Sequence, residues 1–336
     1  TNMVHLRSLS TCKFANTQYY EINQLTNLTH LDLSNNEYDI SASLIGQLTN
    51  LLSLSFIDLV DARHIFNSLT NLTKLRIRSL TDEINLADIT NLANLKCLIM
   101  NGPTRDDSID HICKLSQLRT IKLSYSYAHA VFAERGLLKL LQLTSLTQIS
   151  FAGAHISGSS WSLLTHMTNL TELDLKGAHA SISQNGCKTI GSLQRLKKFE
   201  FPFNTAMDTI LQTIIDNGIE LTSLFIHNCQ QMTRSTLKFI VQLTSLQKLY
   251  LDEIFMISAT DLYEVTVLSN LRVLSLSNSW RSSSQFLVRP FLALTKLRVL
   301  NLGGPVIKDE AELMQPSTMI FLEKFHCRKI INKLFQ

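Results

Sequence analysis

Residues 25–36 read L-x-x-L-x-x-L-x-L-x-x-N, and that line returns along the whole chain. With Leu28 as position 1, its equivalents are Leu6, Leu51, Leu72, Leu95, Leu118, Leu146, Leu170, Leu196, Leu221, Leu246, Leu271, Leu297 and Leu322. All fourteen copies carry leucine there. Positions 1, 4 and 6 are apolar, as in Leu28, Leu31 and Leu33 or Leu246, Leu249 and Leu251. Alternation along a strand sends positions 3 and 5 to its other side. One repeat of this length cannot bury its apolar face alone. Only stacking, which covers both sides of each rung, makes such units stable.

This line resembles the leucine-rich-repeat family. The resemblance implies an α/β solenoid, with about fourteen short parallel strands on a concave face and 3₁₀ or α-helical segments on the convex face. Strands would step by about 4.8 Å. Successive position-1 leucines are 22, 23, 21, 23 and 23 residues apart, then 28, then 24, 26, 25, 25, 25, 26 and 25. The shorter repeats, 1–125, resemble internalin-type repeats and leave room for a 3₁₀ or extended return. The longer ones, 144–336, resemble ribonuclease-inhibitor-like repeats and have room for two helical turns. Residues 236–243 and 261–268 show the apolar spacing of such helices. A seam at 126–143 separates the regimes, and within it 129–143 reads as the strongest helix. The whole is read as one solenoid. Position 9 holds Asn36 and Asn204 but otherwise mostly residues other than asparagine, such as Cys229 and Ser126, so a regular asparagine turn ladder is not expected.

The six cysteines are scattered, with no C-x-C or C-x-x-C pair. Single cysteines without clustered end disulfides fit a reducing, cytoplasmic setting. Three N-x-T sequons, at Asn27, Asn71 and Asn169, point toward a secreted or cell-surface alternative, but the recurring L-T-N-L-T line itself generates them. No apolar run reaches the roughly 18–20 residues of a membrane span. Both ends open directly on repeat strands without a polar cap, so the chain is expected to be the middle of a longer polypeptide.

Catalytic patterns are missing: no G-x-S-x-G, phosphate loop or H-E-x-x-H occurs. His155 and His179 share one repeat position in adjacent copies and could stack, perhaps with Cys187 nearby. Two ligands fall short of the three or four zinc prefers, so neither metal nor cofactor is expected. Proteins of the resembled family bind on the concave face, which directs attention to positions 3 and 5 and the residues that follow them in each repeat. These give a basic stretch of Lys74, Arg76, Arg78 and Lys122 with Tyr125, then mixed acidic residues including Glu200 and Asp252. Next come Phe225, His227 and Tyr250, with Phe203 beside them. Exposed charges are ordinarily just a solvated face. Phe225 and Tyr250 share position 5 of neighbouring repeats and should touch on an exposed sheet, as interface anchors do. The reading is a non-catalytic module that docks a protein partner on its concave face. An alternative is the substrate-recognition or targeting arm of a larger enzyme, such as a ubiquitin ligase or kinase, whose catalytic domain lies elsewhere. Nucleic acid is the less favoured partner: net charge is only +4, and stacking aromatics are not interleaved with the cations.

Overall fold

The computed structural model describes residues 5–10, 19–35, 41–57, 59, 64–78, 86–101, 106–124, 139–140, 142–153, 160–177, 182–277, 285–286, 289–303, 306–307 and 322–326. The chain forms two compact units, Thr1–Leu170 and Thr171–Gln336.

In the first unit the strands are β1 (Ser8–Ser10), β2 (His30–Leu33), β3 (Ser53–Phe56), β4 (Lys74–Ile77), β5 (Cys97–Asn101), β6 (Thr120–Ser124) and β7 (Gln148–Ala152). They lie side by side in chain order and all pair in parallel. The register is one repeat per step: Leu31 pairs with Leu54, Leu54 with Leu75, and Leu75 with Leu98. Positions 1, 4 and 6 are buried throughout β2–β7, from Leu28, Leu31 and Leu33 to Leu146, Ile149 and Phe151. Positions 3 and 5 alternate with them on the other face, where Lys74 is exposed and Arg76 half-buried, while the small Ser55 and Ser150 are covered.

The second unit repeats the plan. Its strands are β8 (Glu172–Asp174), β9 (Lys198–Pro202), β10 (Ser223–His227), β11 (Lys248–Leu251) and β12 (Val273–Ser275), then β13 (Gln285–Phe286), β14 (Val299–Asn301), β15 (Val306–Ile307) and β16 (Lys324–His326). The parallel order is β8-β9-β10-β11-β12-β14-β16, with β13 and β15 pairing separately. Each unit is thus a leucine-rich-repeat sheet backed by short returns.

The L-T-N-L-T line owes its persistence to hydrogen bonds between repeats. The asparagine before position 1 donates to the preceding repeat's loop carbonyl: Asn50 to Thr26 and Asn71 to Thr49, both at 2.9 Å, and Asn270 to Thr244 at 3.1 Å. The threonine at position 2 does the same one turn on, Thr29 to Arg7 and Thr73 to Leu52, each at 3.0 Å. Asn71 and Asn169 therefore have a structural use that accounts for their sequons; Asn169 donates to Thr144 at 2.9 Å. Four repeats turn at position 8 rather than 9, though Asn35 and Phe203 hold the same position without a positive φ. Gly153, Gly177, Asn228 and Glu253 all occupy it and all have positive φ, between 57° and 74°. Glycine and asparagine tolerate that region, whereas Glu253 holds it under strain.

The returns do not divide as cleanly as repeat length predicts. Short-repeat loops hold 3₁₀ turns at Tyr19–Gln24 and Leu86–Asn91, but also a seven-residue α-helix at Asp106–Ile112. In the second unit, residues 236–243 are helical only to Ile240, within Arg234–Ile240, and 261–268 become an α-turn at Ala259–Leu262 followed by 3₁₀ at Tyr263–Val267. β-branched Val265, Thr266 and Val267 crowd a full α-helix there. Among the described residues the longest helix is Met207–Asp216, which buries Met207, Ile210, Leu211 and Ile214. It crosses Gly191 closely: a Cβ there would stand 2.4 Å from Thr213 Cβ. Most of the 129–143 segment lies outside the described residues. Among the described residues no helix is long and apolar enough to cross a membrane.

Candidate functional site

Two clusters occupy the open faces, one in each unit. In the second, three adjacent strands hold the chemistry. Parallel register sets Glu200 of β9 beside Phe225 of β10, and Phe225 beside Tyr250 of β11. The Phe225 and Tyr250 rings stack, with centroids 4.3 Å apart and planes 10° from parallel. Lys198 Nζ lies 5.0 Å from the centre of the Phe225 ring, within cation–π range, and 3.7 Å from Glu200 Oε2. Both rings are only half-buried. In the turn after β11, Phe255 and Met256 are exposed at 36% and 67%.

His227, at the end of β10, is clasped by two carboxylates. Its Nδ1 donates to Asp252 Oδ2 at 2.7 Å and its Nε2 to Glu200 Oε1 at 2.9 Å. Burial pulls the His227 pKa down. The hydrogen bonds and charges of Asp252 and Glu200 outweigh that and raise it to about 9. Burial likewise pushes Glu200 up, yet the His227 hydrogen bond and charge, with Lys198 and Lys176, hold it below its ordinary value. At neutral pH the imidazole is therefore a cation with both nitrogens engaged. It has no lone pair left to accept a proton or bind a metal, so it locks three strands together rather than doing acid–base work. Among the described residues no group of three or more His, Cys, Asp or Glu could hold a metal ion.

The first-unit cluster is basic. Lys74 and Arg76 stand on β4 and Lys122 on β6, with Ile99 of β5 in register between Arg76 and Lys122. None of the three cations forms an ion pair among the described residues. The buried Nε of Arg76 has no hydrogen-bond partner there, an omission that ordinarily costs about 1–3 kcal/mol. Arg78 behaves differently: its Nη1 donates to the Ser34 carbonyl at 2.7 Å, reaching back two strands. Asp32 on β2 has its carboxylate taken by the Ser34 hydroxyl and amide, at 2.5 and 2.9 Å. Burial raises Asp32, but those bonds, a Ser55 bond and the charge of Arg76 leave it below its usual range.

The structure thus gathers Phe225, His227 and Tyr250 on adjacent strands, as their repeat positions predict. Phe203 is half-buried just past β9, its amide donating to the His227 carbonyl at 2.6 Å. Lys74, Arg76, Arg78 and Lys122 lie on β4 and β6 or directly after, but Arg78 is committed to Ser34. Tyr125, His155 and His179 lie outside the described residues. The acidic clasp on His227 goes beyond the sequence reading. His227 and Asp252 share position 7 of successive repeats, and that coincidence was the available signal.

No protein-family model matches the chain, and no curated protein matches it. Solved structures do. The leucine-rich-repeat protein LIC12759 of Leptospira interrogans is 21% identical, over 97% of this chain and 79% of that one, with a TM-score of 0.54. An internalin, inlF, from Listeria monocytogenes is 17% identical over 91% of this chain and 82% of its own, with a TM-score of 0.43.

Proposed function

We propose that this leucine-rich-repeat chain is a non-catalytic interaction module, and that its second unit docks a protein partner on the open face of β9–β11. The observation that carries the reading is the stacked, half-exposed Phe225–Tyr250 pair. Paired rings on a sheet face keep apolar area in water that a partner would remove, and aromatic residues held rigid in this way are typical binding anchors. Beside them stand Lys198 and the clasped His227, an apolar centre with a charged surround. That arrangement suits a folded protein surface better than a small polar ligand.

The single-solenoid organisation belongs to this proposal, with both units presenting binding faces. So does a reducing compartment: Cys97, Cys113, Cys187 and Cys229 are free thiols in separate repeats. The test is affinity capture with the full chain, read by mass spectrometry beside a Phe225→Ala/Tyr250→Ala variant. Proteins held by the wild-type chain and lost from the variant support the reading. Recovery of the same set by both, with the variant folded, contradicts it.

A further inference from the structure

We propose that the open face of the first unit binds an extended acidic peptide segment. Two of its carboxylates, about three residues apart, would engage Arg76 and Lys122, with an apolar side chain between them on Ile99. This rests on the reading of the chain as a protein-binding module, and it concerns residues that the aromatic site does not use.

Register supplies the spacing. Arg76, Ile99 and Lys122 occupy one row across β4, β5 and β6. Strands step by about 4.8 Å, so the two cations originate roughly 10 Å apart. An extended peptide in the polyproline-II conformation, with about three residues per turn at about 3.1 Å each, covers that in about three residues and brings both carboxylates to one face. The parallel row holds Lys74, Cys97 and Thr120, placing a third cation beside the first. The Cys97 thiol reports both neighbours: burial raises its pKa, while the charges of Lys74 and Lys122 pull against that rise.

Among the described residues the charge is only partly offset, since Asp32 on β2 feels Arg76. No acidic residue occupies the open-face positions of β3–β6, and Asp32 on β2 is engaged by Ser34. Carboxylates are the complementary chemistry, because they pair with guanidinium and ammonium through short charge-assisted bonds. Nucleic acid fits less well. The row has an aliphatic centre, and no aromatic ring stands at the open-face positions of β3–β6 for a base to stack on.

The test is fluorescence anisotropy of the full chain with a labelled peptide built from Glu-Leu-Ser-Glu units. Expected is binding that weakens as salt rises, falls about tenfold or more in Arg76→Gln/Lys122→Gln, and falls again in Ile99→Ser. A peptide with every Glu replaced by Gln should not bind. The Phe225→Ala/Tyr250→Ala variant should bind the peptide like wild type, which keeps this site's failure separate from that of the aromatic one. Undetectable peptide binding, salt-insensitive binding, or equal binding by the glutamine variant would overturn the proposal. So would a single-stranded oligonucleotide of equal charge that binds more tightly and ignores Ile99→Ser; that outcome assigns the face to phosphate. The wild-type salt dependence needs no variant, so misfolding of a mutant cannot hide the answer.

Discussion

Phe225 and Tyr250 stack with centroids 4.3 Å apart because one strand step, one repeat length and one shared position coincide. Neither ring enters the core; Leu224 and Leu249, one residue before each, fill it with no exposed surface. The pair should therefore matter little to folding. Phe225→Ala with Tyr250→Ala is expected to lower stability by about 0.5–1.5 kcal/mol, the scale of one stacked pair beyond its buried area. Leu249→Ala should cost about 2–5 kcal/mol, as buried leucines do. Urea titrations of the two variants check this, and similar losses would mean that the strand faces are wrongly assigned.

The His227 clasp gives the second unit a pH signature. Its folded-state pKa of about 9 lies above the ordinary value of 6.5. The group's contribution is thus fully present below about pH 6.5 and is lost as pH rises through 9. A shift of this size corresponds to at most about 3 kcal/mol. Glu200 is held low, so its share is present above the usual carboxylate range and fades only in acid. Lysines, tyrosines and thiols also titrate in alkali, so the comparison is wild type against His227→Gln. The stability gap between them should be large at pH 6.5 and close by pH 10. A gap that stays constant would show that the two carboxylates do not hold a proton on the imidazole.

Gly191 ends the Gln184–Ile190 helix in an ordinary right-handed conformation, so backbone freedom is not why it is glycine. The neighbouring Met207–Asp216 helix is the reason. An added Cβ would meet Thr213 Cβ at 2.4 Å and Ile210 O at 3.1 Å, and Asn217 Nδ2 donates to the Gly191 carbonyl at 3.1 Å. Gly191→Ala should cost about 1–3 kcal/mol through overpacking. Pairing it with Thr213→Gly, compared with Thr213→Gly alone in a denaturation experiment, should remove much of that added cost, since the nearest atom is Thr213 Cβ, which alanine would keep.

The inter-repeat ladder predicts a small, distributed cost. Asn71→Ala removes one donor to the Thr49 carbonyl and should destabilise by about 1 kcal/mol. Asn71→Ser should recover part of it, because Ser145 Oγ reaches the Ser116 carbonyl at 2.9 Å from the equivalent place. Thermal unfolding of the two variants separates these outcomes.

Much of this architecture was legible in the leucines. Position 1 and strict alternation set strand order, register and facing, because in-register stacking of a leucine line that recurs every 21–28 residues buries positions 1, 4 and 6 together. Phe225 and Tyr250 followed from the same count. The returns were less legible: 3₁₀ and α turns differ by little energy in six residues, and β-branched Val265–Val267 and the short Asp106–Ile112 helix cut across the length rule. The turn device at position 8 was hidden because Gly, Asn and Glu share no composition there, only a positive φ. The His227 clasp needed geometry. Asp252 is aligned with it in sequence, but Glu200 is two positions earlier in its repeat and reaches it diagonally.

The central claim is that the second unit's aromatic pair anchors a protein partner, and dissociation kinetics test it most directly. With a partner recovered by the wild-type chain, the account predicts that Phe225→Ala/Tyr250→Ala accelerates dissociation at least about thirtyfold, as losing an anchor of about 2 kcal/mol requires, while the variant unfolds at nearly the wild-type urea concentration. An unchanged dissociation rate in a folded variant would contradict it.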